Sequence, residues 1–449
     1  MYLRWESREK EKGGIAIMGR TISRLFIIII AQAVVLSACD SCKRPDKGNT
    51  NANLEQTSNK IELLKTDTLV VNVYVDKTGD MQGYFKDKSD IRDIIERYLK
   101  EIGKIDTNKP YKAIKFNGFL VGDGTPLLVN VNSSDFTNEF VNQLIPSKFT
   151  DDSSNLASWF SKITHLGNDT VSLFFSNCIF SRGGGQDSDN RLNSQESKIN
   201  SVFSELANNN CKSVLIYQFN GEYDGVIMNK EDKNPKNFNG KRPFYLWVIG
   251  ENKYLKSFRT FENQLISVPV QNTCVVTHQV QDLNYAIIPN AGDYRLSKID
   301  TKHAIVKARL SKGKDHMENK TKTLNIAINV DFHDLLVDTT YLLNKANYTT
   351  NNTNYTVDTI LKSRDSRFTH TIKMTSTSIE PADVNIILLN NLPCWIEKYN
   401  DDIGATPDQN DSIQRTYGLE KLVGSVYSAY TQRGKSLYDL KISVNKNKK

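Results

Sequence analysis

The chain has 449 residues, 39% of them apolar, and its 58 basic and 51 acidic residues give a formal net charge of +7. Residues 1–38 hold six basic and three acidic residues, so the rest of the chain is only weakly basic, at +4. That balance, without a cluster of Lys and Arg, argues against a nucleic-acid partner, and the length predicts two or three domains.

The N-terminal segment has the pattern of an export signal. Arg20 and Arg24 precede the apolar run 25–35, which is too short to cross a bilayer because a spanning helix needs about 20 apolar residues. The tetrapeptide LSAC follows and ends at Cys39. This order resembles a bacterial lipoprotein signal, and the resemblance implies cleavage before Cys39 and a lipid on that cysteine. The alternative is an uncleaved N-terminal anchor.

Residues 39–65 are rich in Asn, Lys, Thr and Ser and contain few apolar side chains. Such a segment buries too little apolar surface to fold, so we expect a flexible tether. The general composition is similar to that of envelope lipoproteins of Bacteroidetes-type bacteria. We therefore expect a lipid-anchored protein of the cell envelope, in the outer membrane rather than the inner one. Asp40 resembles the inner-membrane retention signal of enteric bacteria, so the inner membrane stays an alternative location.

Strand and helix patterns alternate between residues 66 and 264. Segments 68–75 and 113–121 have the β-branched and aromatic content of strands, and 171–176, 214–219 and 244–249 are nearly all apolar, as strands covered on both faces must be. Ser89 precedes apolar residues at helical spacing: Ile91, Ile94, Ile95, Tyr98, Leu99 and Ile102. The alternation predicts an α/β domain, a doubly wound and mostly parallel sheet with helices on both faces.

Residues 265–449 show a different pattern. Short strand-like runs separated by turn residues follow one another, which predicts a β-sandwich-like domain. One helical period near residues 419–430 and a closing strand at 437–444 complete it. Cys42, Cys178, Cys211, Cys274 and Cys394 are an odd number, so no disulfide framework is expected, and Cys274 with Cys394 is the one pair considered.

Three polar segments follow or precede elements of the predicted α/β sheet. They are 75–81 after the first strand, 151–156 at the start of a helix and 175–178 after a buried central strand. In open α/β sheets, ligands bind beyond the carboxyl ends of the strands, which we call the top face. The segments together resemble the three metal-site loops of a von Willebrand factor A domain.

This resemblance implies a fold and a cation site. The cation would be Mg²⁺, or alternatively Mn²⁺ or Ca²⁺, because hard cations take oxygen ligands, and a partner's carboxylate would complete its shell. The resemblance places five ligands in this sequence: Asp76, Thr78, Asp80, Ser154 and Asn177.

The match departs from the family pattern at two positions. Asp80 stands where Ser is usual, Asn177 replaces an Asp, and Ser153 is an alternative to Ser154. Two carboxylates remain, so the site either survives with altered geometry or is a relic whose polar side chains cap helices and turns. Both interpretations stay open at the level of sequence.

The favoured function is a non-enzymatic envelope binding or assembly protein whose top face contacts a protein partner, with or without a cation. A metal-dependent envelope hydrolase is the second hypothesis, but it needs a water-activating group, and no His or Glu is placed near the motif. A carbohydrate-binding lipoprotein that uses exposed aromatic residues of the β-rich domain is the third.

Overall fold

The structure is a computed structural model that describes most residues between 66 and 444. Those residues are 66–86, 89–105, 108–122, 124–131, 134–152, 154–165, 167–180, 188–208, 212–227, 235–259, 270–278, 283–288, 294–300, 304–310, 323–378, 380–402, 412–432 and 434–444. The predicted signal, Cys39 and the tether lie outside them. Among the described helices, none combines the length and apolar character needed to cross a membrane.

A seven-stranded sheet forms the first layer of the fold, in the order β3-β2-β1-β4-β6-β5-β7. Its strands are β1 (Thr66–Asp76), β2 (Tyr111–Val121), β3 (Leu127–Val129), β4 (Thr170–Ser176), β5 (Lys212–Ile227), β6 (Lys236–Glu251) and β7 (Asn272–Val276). The chain passes from β1 to β2 on one side of β1 and later to β4 on the other side. The strand order therefore reverses between β1 and β4, as it does at the switch point of a doubly wound sheet.

Strand direction divides this sheet. β1 pairs in parallel with both β2 and β4, whereas β3, β6, β5 and β7 pair antiparallel with their neighbours. The sequence predicted a mostly parallel sheet, and the parallel centre is present. The strands predicted at 214–219 and 244–249 instead form a long hairpin, because the eight residues between Ile227 and Lys236 are fewer than the dozen or so that a crossover to a parallel strand needs.

Helices cover both faces of the sheet. One face packs against α1 (Asp90–Gly103), α2 (Phe136–Asn142) and α5 (Asn252–Phe258), and the other against α3 (Leu156–Ile163), α4 (Ser188–Asn208) and later elements. Helix α1 begins where predicted: the Ser89 hydroxyl accepts the N–H of Arg92 at 3.2 Å, and all six predicted apolar residues are buried.

The later chain forms two further sheets that share one apolar core. The five-stranded sheet has the order β12-β15-β18-β10-β9, and the four-stranded sheet has the order β13-β14-β11-β8. Their strands are β8 (Tyr285–Ile288), β9 (Tyr294–Asp300), β10 (Ala304–Leu310), β11 (Leu324–Val330), β12 (Tyr348–Thr350), β13 (Tyr355–Lys362), β14 (His370–Ser376), β15 (Ala382–Leu389) and β18 (Ser436–Val444). The structure is therefore of the mixed α/β class, with a large central sheet and additional antiparallel sheets, as the sequence predicted at this level.

Short elements connect these layers. They are α6 (Thr339–Leu343), α7 (Trp395–Lys398), β16 (Asn400–Asp401), β17 (Thr416–Tyr417), α8 (Leu419–Thr431) and the 3₁₀ helices Gly79–Phe85, Pro146–Lys148, Lys345–Asn347 and Ser412–Gln414. The described cysteines Cys178, Cys274 and Cys394 are free thiols, so the pair considered from the sequence is not bonded.

Elements from beyond residue 264 also complete the seven-stranded sheet. β7 pairs with β5 at its edge, although the sequence placed this strand in the sandwich. Helix α8 lies beside α4, and its Leu422, Val423 and Val426 are buried in the same core as Trp247. The α/β layer is therefore built from both parts of the chain, because the apolar stripe of α8 covers sheet surface that would otherwise face water.

Candidate functional site

The top face begins with Asp76, the last residue of β1. Val75 and Phe175 are partners in the parallel β1–β4 ladder, so β1 and β4 end side by side. Asp76 is fully buried, and its carboxylate accepts the N–H of Thr78 at 2.9 Å and the hydroxyl of Ser176 at 2.7 Å. Burial raises the pKa of Asp76 to about 6, although the hydrogen bonds from Thr78 and Ser176 oppose the shift.

The loop after β1 is joined to the loop before α3. The Gly79 N–H donates to the Asp151 carbonyl at 2.9 Å, and the Asp151 N–H donates to the Lys77 carbonyl at 3.3 Å. The Lys77 ammonium also pairs with the Asp151 carboxylate, with 2.9 Å between Nζ and Oδ1. These contacts fix the second loop against the first, so Thr78 and Ser154 lie in one ordered region of the top face.

Gly122 provides the space for this junction. A Cβ at this position would lie 1.6 Å from Oδ2 of Asp151, so only glycine allows the carboxylate to lie there. The Trp159 indole N–H donates to the Gly122 carbonyl at 2.9 Å, which holds the end of β2 against α3. The second loop is therefore positioned by packing as well as by charge.

The third loop follows β4 and contains Asn177. Its Oδ1 accepts the N–H of Ile179 at 3.0 Å, and the Ile179 carbonyl accepts the Ser154 hydroxyl at 2.5 Å. The backbone N–H of Asn177 donates to Sδ of Met81 at 3.3 Å. The amide nitrogen Nδ2 of Asn177 is buried and has no hydrogen-bond partner in this structure.

Cys178 is the strained residue of the site. Its φ of 55° lies in the left-handed region, which non-glycine residues seldom adopt. Its N–H donates to the Ser176 hydroxyl at 2.8 Å, and its Sγ accepts the Trp247 indole N–H at 3.1 Å. Burial raises the pKa of the thiol to about 12, so Cys178 serves packing and loop shape rather than nucleophilic chemistry.

Asp80 lies further from the junction, in the 3₁₀ helix Gly79–Phe85. Its charge acts on Asp76, but also on Arg242, which is nine-tenths buried between Tyr84 and Tyr223. The Arg242 guanidinium lies 4.9 Å from the centre of the Tyr223 ring. Burial alone would lower the pKa of Arg242, but Tyr84, Tyr223 and Asp80 more than offset it, and the pKa is raised.

The structure thus places four predicted residues, Asp76, Thr78, Ser154 and Asn177, in the hydrogen-bonded loops of the top face, and Asp80 beside them in the field of Arg242. Ser153 lies outside the described residues. Four further contributors lie in the three polar segments but were given no role from the sequence: Lys77, Met81, Asp151 and Ser176. A fifth, Gly122, lies outside those segments. Ser176 could have been found, since it ends the buried strand and directly precedes Asn177.

We tested whether these side chains suit a divalent cation. Within the described ranges, no three or more His, Cys, Asp or Glu side chains are grouped so that they could hold a metal. The Asp76 carboxylate already accepts two hydrogen bonds, and Asn177 stands where the resemblance would call for a carboxylate, with a buried N–H₂ group that has no partner in this structure. Hard cations take anionic and neutral oxygens, so this donor set does not fit a resident cation.

Comparisons with protein families, with curated proteins and with solved structures found no match for this chain.

Proposed function

We propose that this chain is a lipid-anchored cell-envelope binding or assembly protein. In this proposal its α/β part is von Willebrand factor A-like, and its top face contacts a protein partner. The observation that supports it most is the junction of three loops at the ends of β1 and β4, centred on the buried Asp76. Ligands of open α/β sheets bind at such a switch point.

The hydrogen bonds of the site favour a binding surface over a catalytic centre. Asp76, Ser154 and Ser176 each use their side-chain oxygens to fix neighbouring loops. A catalytic group must reach a substrate, whereas the Asp76 carboxylate is fully buried. These residues order the loop surface above them, and ordered loops on a rigid sheet are common binding sites.

Trp395, the tryptophan of residues 265–449, argues against the carbohydrate-binding alternative. Trp395 is buried, and its indole N–H donates to the Thr273 carbonyl at 2.9 Å, so it covers strand β7. A side chain in that position is part of the core and is not available to stack on a sugar ring.

The membrane attachment in the proposal depends on a lipid at Cys39. The resemblance of residues 20–39 to lipoprotein signals supports that lipid.

Site-specific photo-crosslinking in the native host tests the proposal. A photoreactive residue at Asp152, an exposed position of the second loop, samples the top face. The matched control is Lys112, which is exposed near the start of β2, at the opposite end of the sheet. We expect a discrete protein adduct from position 152 and none from 112. Equal labelling at both positions, or none at 152, would refute contact through the top face.

A further inference from the structure

We infer that the top-face site of this chain is held together without a divalent cation, and that Asn177 is the residue that determines this. The inference concerns the same site as the proposed function but does not need the partner to be known. Three observations support it: the orientation of the Asn177 amide, the hydrogen bonds that the Asp76 carboxylate accepts, and the hydrogen bonds that join the three loops.

The orientation of the Asn177 amide is set by a backbone donor. Its Oδ1 accepts the Ile179 N–H at 3.0 Å, so a flipped amide would bring two N–H groups together. The side chain is 98% buried, and its other polar atom, Nδ2, carries two hydrogens and finds no acceptor in this structure. An amide nitrogen in this state cannot ligate a cation, whereas an Asp here would supply a second acidic oxygen.

The remaining charges around the site point the same way. Each oxygen of the Asp76 carboxylate accepts one hydrogen bond, Oδ1 from the Thr78 N–H and Oδ2 from the Ser176 hydroxyl. The Lys77 ammonium forms an ion pair with Asp151. Asp80 lies in the field of the buried Arg242. The carboxylates of Asp76, Asp80 and Asp151 are thus offset by two positive side chains, Lys77 and Arg242, which leaves about one net negative charge for a divalent ion.

Direct hydrogen bonds do the work that a cation would otherwise do. Asp76 links the first loop to Ser176 at the end of β4, and Ser154 links the second loop to the third through the Ile179 carbonyl. The Gly79 N–H donates to the Asp151 carbonyl and so joins the first loop to the second. All three loops are thus tied in pairs without an ion.

Calorimetric titration of the purified full chain with MgCl₂, MnCl₂ and CaCl₂ tests the inference. We expect no saturable binding by the wild-type protein at millimolar concentrations. The Asn177→Asp variant is expected to bind at least one of these ions with a Kd of about 10⁻³ M or tighter, and its Tm should rise when that ion is added. Asn177→Ser keeps an oxygen that can accept the Ile179 N–H without adding charge. We expect this variant to fold and to bind none of the three ions.

Two results would overturn the inference. The first is saturable binding by the wild-type chain that Asp76→Asn abolishes. The second is an Asn177→Asp protein that folds yet binds none of the three ions. If that variant folds only when Mn²⁺ is present, the result supports the inference, because binding then stabilises the folded state; failure to fold under both conditions counts against it. Since no partner is involved, these outcomes are independent of the crosslinking result.

Discussion

At the scale of single residues, Asp76 is the point on which the top face depends. Its carboxyl is fully buried with a pKa of about 6, against an ordinary value of 3.8, because burial disfavours the charged form. The folded protein therefore holds this proton to higher pH than the unfolded chain does. Below the ordinary pKa the group has no effect on stability. Its contribution becomes unfavourable as the pH rises from that value to and through about 6, because the unfolded chain then releases the proton more readily than the folded protein does.

This shift predicts a pH-dependent difference between the wild-type protein and Asp76→Asn. Asparagine can accept the Thr78 N–H but cannot ionise. Between about pH 4 and pH 7, the free energy of unfolding of the wild type should fall by about 2 kcal/mol relative to the variant. Urea unfolding at each pH, with EDTA present, measures the difference. A difference that does not change with pH would show that Asp76 is not buried as described.

Part of this site could be predicted from the sequence, and part could not. The convergence of Asp76, Thr78, Ser154 and Asn177 follows from where their segments stand relative to strands and helices. The orientation of the Asn177 amide could not be predicted, because it is set by the Ile179 backbone and not by the residues of the motif. The Lys77–Asp151 pair depends on a loop contact that no local pattern encodes.

At the scale of elements, two glycines of one loop differ sharply in their surroundings. Gly122 lies against Asp151, and an added Cβ would be 1.6 Å from its Oδ2, whereas a Cβ on Gly124 would meet nothing within 4 Å. Gly122→Ala must displace the Asp151 carboxylate and weaken the junction of the first two loops.

We therefore expect Gly122→Ala to lower the free energy of unfolding by about 1–3 kcal/mol and Gly124→Ala to change it by less than about 0.5 kcal/mol. Chemical denaturation of the two variants side by side measures this contrast. Equal effects of the two substitutions would mean that the close approach of Asp151 to β2 does not stabilise the fold.

Elements with strong local signals were the ones that the sequence predicted well. Helix α1 has a capping Ser89 and six apolar residues at helical spacing, and each of those six is buried. The β5–β6 hairpin was harder to predict, since its outer half extends past the central strands and packs on the 3₁₀ helix through Tyr223 and Tyr84. Pairing between distant segments depends on tertiary contacts that periodicity does not report.

At the scale of the whole molecule, the boundary predicted at residue 264 leads to a test of folding units. The seven-stranded sheet takes its edge strand β7 and its covering helix α8 from beyond that boundary. A fragment of residues 66–264 would expose the sheet surface that Leu422 and Val426 cover. We expect it to bind hydrophobic dyes and to lack a cooperative thermal transition, unlike the full chain. A cooperative transition of the fragment in calorimetry would show instead that the predicted α/β domain folds alone.

The membrane attachment is predicted by residues outside the described ranges. Cys39→Ser removes the lipid acceptor but leaves the apolar run 25–35 in place. We expect metabolic labelling with a radioactive fatty acid to be lost in this variant, while Cys42→Ser, the matched control three residues later, keeps it. Labelling that persists in Cys39→Ser would contradict the lipoprotein interpretation.

One crosslinking measurement tests both partner contact through the top face and its independence of a divalent cation. The yield of the adduct from a photoreactive residue at position 152 is measured in membranes with and without EDTA, beside the control at position 112. We expect a discrete adduct at position 152 only, with the same yield in EDTA. A yield that EDTA abolishes would contradict the cation-independent site, and an absent adduct would contradict contact through the top face.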